Sequence, residues 1–161
     1  MLNNEVVTIE AKTVAQSKVT IGNLMQPEQA NMYGNVHGGE IMKLMDHAAG
    51  IVALRHARAN VVTARVDKME FHYPIHVGNL VTCSGQLTFV GRSSMEVFVE
   101  VFVEDLHKET DAKLALTAFF TMVALDSDEK PMRVPALAIT NAEEQALFEA
   151  GRQRYLAYKK H

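Results

Sequence analysis

The chain has 161 residues, 48% apolar and 22% charged, with a formal net charge of −3, which suits one folded domain and speaks against a disordered tail or a basic nucleic-acid-binding module. No run approaches the roughly 20 apolar residues of a bilayer span, and Met1-Leu2-Asn3-Asn4-Glu5 lacks the basic and apolar regions of a secretory signal. The single Cys83 leaves no internal disulfide, so the expectation is a cytoplasmic protein with no membrane and no nucleic-acid partner.

In chain order, residues from about Thr13 to Leu24 read as one strand, which breaks at Pro27. The stretch Asn31-Met32-Tyr33-Gly34-Asn35 is turn chemistry. His37-Gly38-Gly39 then opens the strongest helix in the chain. Ile41, Leu44, Met45, Ala48, Ala49 and Val52 recur at the spacing of one apolar face, and the helix is expected to run to about His56. Four strand-like runs follow: Val61 to His72, Leu80 to Val90, Met95 to Glu104 and Lys113 to Leu125. In the third, Val97, Val99, Val101 and Val103 face one way and Glu96, Glu100 and Glu104 the other; the fourth is apolar on both faces. A loop runs from Asp126 to Pro135. Thr140-x-x-Glu143 then signals a capping box for a last helix anchored by Leu147, Tyr155 and Tyr158. The pattern is α+β: a strand, a long helix able to cover one face of a sheet, and four antiparallel strands. A sheet this size leaves apolar surface uncovered, which predicts oligomerisation.

The chemistry concentrates in residues 34–46. Two glycines at a helix start let a ligand approach bare backbone, and the first helical turn carries unpaired N–H groups and partial positive charge. Gly38 and Gly39 therefore suit a carbonyl oxygen and the oxyanion formed when that carbonyl is attacked; tight packing is the other reading of the pair. Asp46 lies two turns on, beside the apolar stripe, where a carboxylate needs a partner or a purpose. It serves as general base or nucleophile, or else it pairs with a basic group such as Lys43 or Arg65. The eight residues from Gly38 to Asp46 span roughly 12 Å of helix, at about 1.5 Å per residue. One helix therefore cannot bring both ends to one carbonyl, whereas two antiparallel copies in a homodimer can.

Residues 34–49, Gly-Asn-Val-His-Gly-Gly-Glu-Ile-Met-Lys-Leu-Met-Asp-His-Ala-Ala, closely resemble the motif of the cytosolic acyl-CoA thioester hydrolases, the hotdog-fold enzymes that include brain acyl-CoA hydrolase. Arg55-His56, residues 71–78 (Phe-His-Tyr-Pro-Ile-His-Val-Gly) and residues 93–97 (Ser-Ser-Met-Glu-Val) extend the resemblance, which covers roughly residues 15–137 and leaves out the tail from Thr140. It implies a hotdog fold, an antiparallel sheet wrapped around a long central helix. Residues 1–139 would form that domain, with residues 140–161 as an added C-terminal helix. It further implies hydrolysis of fatty acyl-CoA to free fatty acid and coenzyme A. Asp46 matches the catalytic carboxylate, Asn35 the catalytic asparagine supplied across the dimer, and Gly38 and Gly39 the turn that polarises the carbonyl. The homodimer would be the minimal active unit, assembled further into a hexamer as a trimer of dimers. No cofactor is required, because coenzyme A enters as part of the substrate. For its phosphates the candidates are Arg92, Ser93 and Ser94 in one turn, with Lys68 and Arg133 assisting; a plain polar hairpin tip is the other reading of that turn.

Other chemistries fit less well. The seven histidines include no His-Glu-x-x-His, and Pro74 separates His72 from His76, so no metal site is expected. His47 points about 100° around the helix from Asp46. No Gly-x-Ser-x-Gly elbow exists, and Cys83 has no partner nearby in sequence. A hotdog hydratase using His37 with Asp46, and a non-enzymatic acyl-CoA sensor, are the remaining alternatives.

Overall fold

The computed structural model describes residues 9–160. Lys12–Thr13 form a short strand, β1, which leads directly into a one-turn helix, α1 (Val14–Ser17), before strand β2 (Val19–Leu24). The single strand expected from Thr13 to Leu24 is therefore interrupted. The cause is local: the Gln16 side-chain oxygen accepts the Thr13 N–H at 2.7 Å, a capping box that closes one helical turn. Burial of Val14 and Ser17 on that turn holds it in place.

The long helix, α2, spans Gly38–Ala57. Its expected stripe is buried from Ile41 to Val52, and Arg58 ends it in the left-handed conformation at φ 52°. The four later strands are β3 (Asn60–Phe71), β4 (Leu80–Val90), β5 (Ser94–Glu104) and β6 (Lys113–Leu125). They join β2 in one antiparallel sheet of order β2-β4-β5-β6-β3. Helix α2 lies against all five strands, and its stripe forms one core with Val97, Val99, Val101 and the inward residues of β4 and β6. This is the α+β hotdog arrangement. Strand β3 is one edge of the sheet and pairs only with β6; Val62, Val66 and Phe71 on it stay exposed. Two register shifts bend β3, one between Thr63 and Arg65 and one between Asp67 and Glu70, where Lys68 has φ 51°.

The loop after β6 returns through β7 (Leu137–Ala138), which runs parallel to β1. The final helix, α3 (Ala142–Lys159), begins one residue later than the capping box predicted. Asn141 is the cap, accepting the Glu144 N–H at 2.8 Å, and Glu144 reaches back to the Thr140 N–H at 2.9 Å. Asparagine caps at least as well as threonine, so the motif shifts by one. Helix α3 covers the outer face of the sheet. Phe148 and Tyr155 stack on Phe89 at 5.0 and 5.1 Å, and the Arg65 guanidinium sits 3.4 Å from the Tyr158 ring centre. Tyr155 and Tyr158 thus act as the expected anchors, and Phe148, beside the expected anchor Leu147, adds an aromatic contact. Glu96, in the outward row of β5, is buried beneath α3 and held by Arg154 through bonds of 3.0 and 2.7 Å. A Cβ on Gly151 would lie 2.6 Å from Phe89 and 2.8 Å from Glu96, so the helix comes this close because that position has no side chain.

Candidate active site

Asp46 leaves α2 just beside the buried stripe and is exposed in the single chain. Its partner is Thr63 of β3, whose hydroxyl donates to Asp46 Oδ1 at 2.5 Å. Arg65, considered from sequence as a partner, instead pairs with Asp67 at 2.7 Å. The register shift between Thr63 and Arg65 explains the exchange, because it breaks the alternation that would have put both residues on one face. Asp46 and Thr63 stand together in a groove of 780 Å³ that continues along α2 to Leu54 and is walled by the two sheet edges, β2 and β3.

The helix start lies in a second, smaller cavity of 240 Å³, lined by Asn31, Asn35, Gly38, Phe71 and Tyr73 among others. His37 is the N-cap: its Nδ1 accepts the Gly39 N–H at 3.0 Å. Of the two glycines, Gly39 has its N–H engaged by this ring, while Gly38 lines the cavity and carries an N–H that no preceding helical turn can accept. Asn31 anchors the turn before the helix. Its side-chain oxygen accepts the N–H groups of Tyr33 at 2.9 Å and Asn35 at 3.2 Å, which leaves the amide nitrogen as a donor. Asn35 bridges in backbone to His76. Within one chain, then, Asn31, Asn35 and Gly38 share one cavity, and Asp46 with Thr63 share another.

Of the residues expected to meet coenzyme A, Arg92 and Arg133 line one cavity of 450 Å³. A backbone hydrogen bond of 2.8 Å from the Val134 N–H to the Arg92 carbonyl joins their segments. Ser93 and Ser94 do not line it: the Ser93 carbonyl accepts the Ala124 N–H, and Ser94 opens β5. Lys68 lies on the bulge of edge strand β3, opposite the Thr117–Phe119 part of β6 rather than the Arg92 end of the sheet. Cys83 is fully buried and burial pushes its thiol up to about 12, which makes it inert at neutral pH.

Thr63 and Asn31 were not picked out by the sequence reading. Asn31 stood inside a recognised turn, and its capacity to hold that turn through an Asx contact was the available signal. Nothing in the sequence marked Thr63, since its contact to Asp46 crosses from one element to another.

The thioesterase superfamily model matches residues 33–110. A curated mouse protein, cytosolic acyl coenzyme A thioester hydrolase, is 42% identical over 151 residues, 93% of this chain and 40% of its own length. An uncharacterized acyl-CoA thioester hydrolase of Bacillus subtilis, YkhA, is 39% identical over 91% of this chain and 85% of its own. The chain belongs to the acyl-CoA thioester hydrolase family. It spans about two fifths of the mouse relative's length. The alignment of 151 residues exceeds the 139 that precede the tail, so the family resemblance reaches into α3, contrary to the expectation that the tail lay outside it. Among solved structures, an apo-hexameric acyl-CoA thioesterase superposes with a TM-score of 0.88 at 34% identity, covering 94% of this chain and 97% of the other. An acyl-CoA hydrolase of Staphylococcus aureus, in complex with butyryl coenzyme A and coenzyme A, gives 0.84 at 31% identity, covering 93% and 91%. Variants of that enzyme have been solved in which an asparagine, an aspartate fifteen residues after it and a threonine seventeen further on are each replaced by alanine. Among the described residues no helix is long and apolar enough to cross a membrane.

Proposed function

We propose that the protein is a cytoplasmic acyl-CoA thioesterase whose active site forms between two copies of the chain, with Asp46 as the reacting carboxylate. The observation that carries the reading is the Asp46–Thr63 pair at the mouth of an apolar groove. The spacings of the S. aureus variants, counted from Asp46, fall on Asn31 and Thr63. This favours Asn31 as the catalytic asparagine, with Asn35 beside it donating its N–H to the Asn31 oxygen.

The roughly 12 Å between Gly38 and Asp46 along α2, at about 1.5 Å per residue, separates the carbonyl-binding end from the carboxylate within one chain. Antiparallel packing of two α2 helices would bring the Gly38 end of each copy to the Asp46 of the other. The exposed edge strand β3, with Val62 and Val66 uncovered, supplies a surface for such a pair, and the hexameric relative supports further assembly as a trimer of dimers. In the combined site the Gly38 N–H and the Asn31 amide donate to the thioester oxygen and stabilise the oxyanion. Thr63 holds the Asp46 carboxylate in place through its hydroxyl.

Two routes fit this arrangement. Asp46 takes a proton from water, hydroxide adds to the acyl carbon, and collapse expels the thiolate of coenzyme A, which recovers the proton. Alternatively Asp46 attacks directly, expels the thiolate, and the resulting anhydride is hydrolysed. Turnover in heavy-oxygen water under single-turnover conditions separates them, by label in the carboxylate or only in the fatty acid. No cofactor enters either route; coenzyme A is part of the substrate. Arg92 and Arg133 would take its phosphates, the guanidinium pair suiting a phosphate better than the two serines do. The test is release of free thiol from palmitoyl-CoA: Asp46→Ala should lower turnover by about a thousand-fold and still bind acyl-CoA. Equal binding by wild type and variant, with no thiol released by either, would overturn the reading in favour of a non-catalytic sensor.

A further inference from the structure

The groove beside Asp46 contains a glycine that packing within the single chain does not explain. Gly50 sits in the middle of α2, where glycine is the poorest helix former apart from proline. Interior glycines of helices ordinarily earn their place by close approach of another element, as Gly151 does in α3, where a Cβ would collide with Phe89 and Glu96. At Gly50 a Cβ would meet no other part of the same chain within 4 Å. The space that it leaves belongs to the groove, which it lines together with Gly22 of β2, Ile51, Leu54, Val61 and Val62.

Along α2 the groove's lining passes from Asp46 and His47 to Gly50, Ile51 and Leu54; Thr63 of β3 and Asn23 of β2 are its other polar side chains, and Ile21, Val61 and Val62 add to its apolar wall. Along α2 this is a change of character within about two turns, or roughly 12 Å at about 1.5 Å per residue from Asp46 to Leu54. A thioester whose carbonyl lies at Asp46 has two arms. The polar coenzyme A arm is ill matched to a trough of isoleucine, leucine and valine, and the hydrocarbon arm is well matched to it. Gly50 is the first position past Asp46 on that face, one helical turn on, so a side chain there would stand in the path of any long acyl chain and clear of a short one.

We infer that the Gly50–Leu54 trough holds the acyl chain of the substrate, and that the missing side chain at Gly50 sets how long a chain the enzyme accepts. The inference rests on the thioesterase reading above. It assigns the specificity of the same site to a residue that takes no part in its chemistry.

Gly50→Leu and Gly50→Ala test it, measured against a series from butyryl-CoA to palmitoyl-CoA by thiol release, with the oligomer mass of each variant taken by light scattering. Hydrolysis of butyryl-CoA by the wild type checks the underlying reading; if the wild type releases no thiol from any member, that reading fails and not merely this one. Given activity, the palmitoyl-to-butyryl ratio of kcat/KM should fall on the order of 10- to 100-fold in Gly50→Leu, the range by which apolar pockets discriminate chain size. Gly50→Ala, which favours the helix and meets no neighbour, should shift the ratio in the same direction by a smaller factor. A ratio unchanged in both variants would overturn the inference. So would a parallel loss at every chain length together with a fall in oligomer mass, which would instead place Gly50 at a contact between helices of two copies.

Discussion

Replacing Arg154 by methionine isolates a strongly desolvated ion pair that docks α3 on the sheet. Glu96 is 6% exposed, and its carboxylate is held by two bonds from Arg154, 3.0 Å from Nε and 2.7 Å from Nη2, and by the Thr88 hydroxyl at 2.7 Å. The guanidinium also lies 4.0 Å from the Phe119 ring centre. Arg154→Met leaves a buried carboxylate with a single remaining donor, a situation that costs about 3–5 kcal/mol when a buried pair is broken. The arginine side chain keeps 16% of its surface exposed, which places the expected cost near about 3 kcal/mol, at the lower end of the range for a buried pair. For a chain of this length each kcal/mol moves the melting temperature by about 2–4 °C, so a fall of roughly 6–12 °C is expected. The assay is a circular-dichroism melt at neutral pH and one fixed protein concentration, since oligomers make the midpoint concentration-dependent. Adding Glu96→Gln to Arg154→Met removes the stranded charge and keeps an acceptor for Thr88, so the double variant should recover at least half of the loss. A single variant melting within about 2 °C of the wild type would refute the reasoning; so would a double variant no more stable than the single one.

Thr63→Val removes the hydroxyl that fixes the Asp46 carboxylate and keeps the shape. A hydrogen bond to a charged group is worth about 1.5–3 kcal/mol, so kcat should fall on the order of 10- to 100-fold with KM little changed, read by steady-state thiol release. Arg92→Ala with Arg133→Ala should raise KM for acyl-CoA by about ten-fold and leave the N-acylcysteamine thioester, which lacks phosphates, unaffected; equal losses on both substrates would count against phosphate contact. His56 is fully buried at the end of α2, with Nε2 2.7 Å from the Pro135 carbonyl, and burial holds its pKa below the ordinary value. The unfolded chain therefore binds the proton more readily than the folded one, and stability falls as pH drops through about 6.5, the unfolded value. His56→Gln should flatten the dependence of melting temperature on pH between about 7 and about 5.

The parts of the fold visible in the sequence are those that repeat at a fixed period. The stripe from Ile41 to Val52 and the valine row of β5 each carry several residues that agree, so both elements and their inward faces could be read directly. What escaped depends on single contacts. The turn of α1 hangs on one Thr13–Gln16 capping box within a run that otherwise looks like a strand. The shift in β3 that frees Thr63 for Asp46 and leaves Arg65 to Asp67 follows from strand pairing, which no spacing along β3 encodes. Glu96 shares its alternation with Glu100 and Glu104, and its burial depends on a partner 58 residues away on α3. For the site, the glycine pair and Asp46 were legible from local chemistry and from family resemblance. The separation of Asp46 from Gly38 follows from helix rise, and the two residues line different cavities of the chain. The separate fates of Gly38 and Gly39 depend on where the His37 ring turns, and this only the three-dimensional arrangement shows.

A site shared between two copies makes a prediction that a site within one chain cannot meet. Asp46→Ala and Asn31→Ala should each be nearly inactive alone, the first lacking its carboxylate and the second its amide donor. When equal amounts are unfolded and refolded together, half of the dimers pair one variant with the other, and each such dimer holds one intact site and one doubly damaged site. Thiol release from palmitoyl-CoA should then recover to about a quarter of the wild-type rate, as expected for a two-fold symmetric pair. A mixture no more active than the two variants apart would contradict the shared site and return Asp46 and the Gly38 turn to separate roles within one chain.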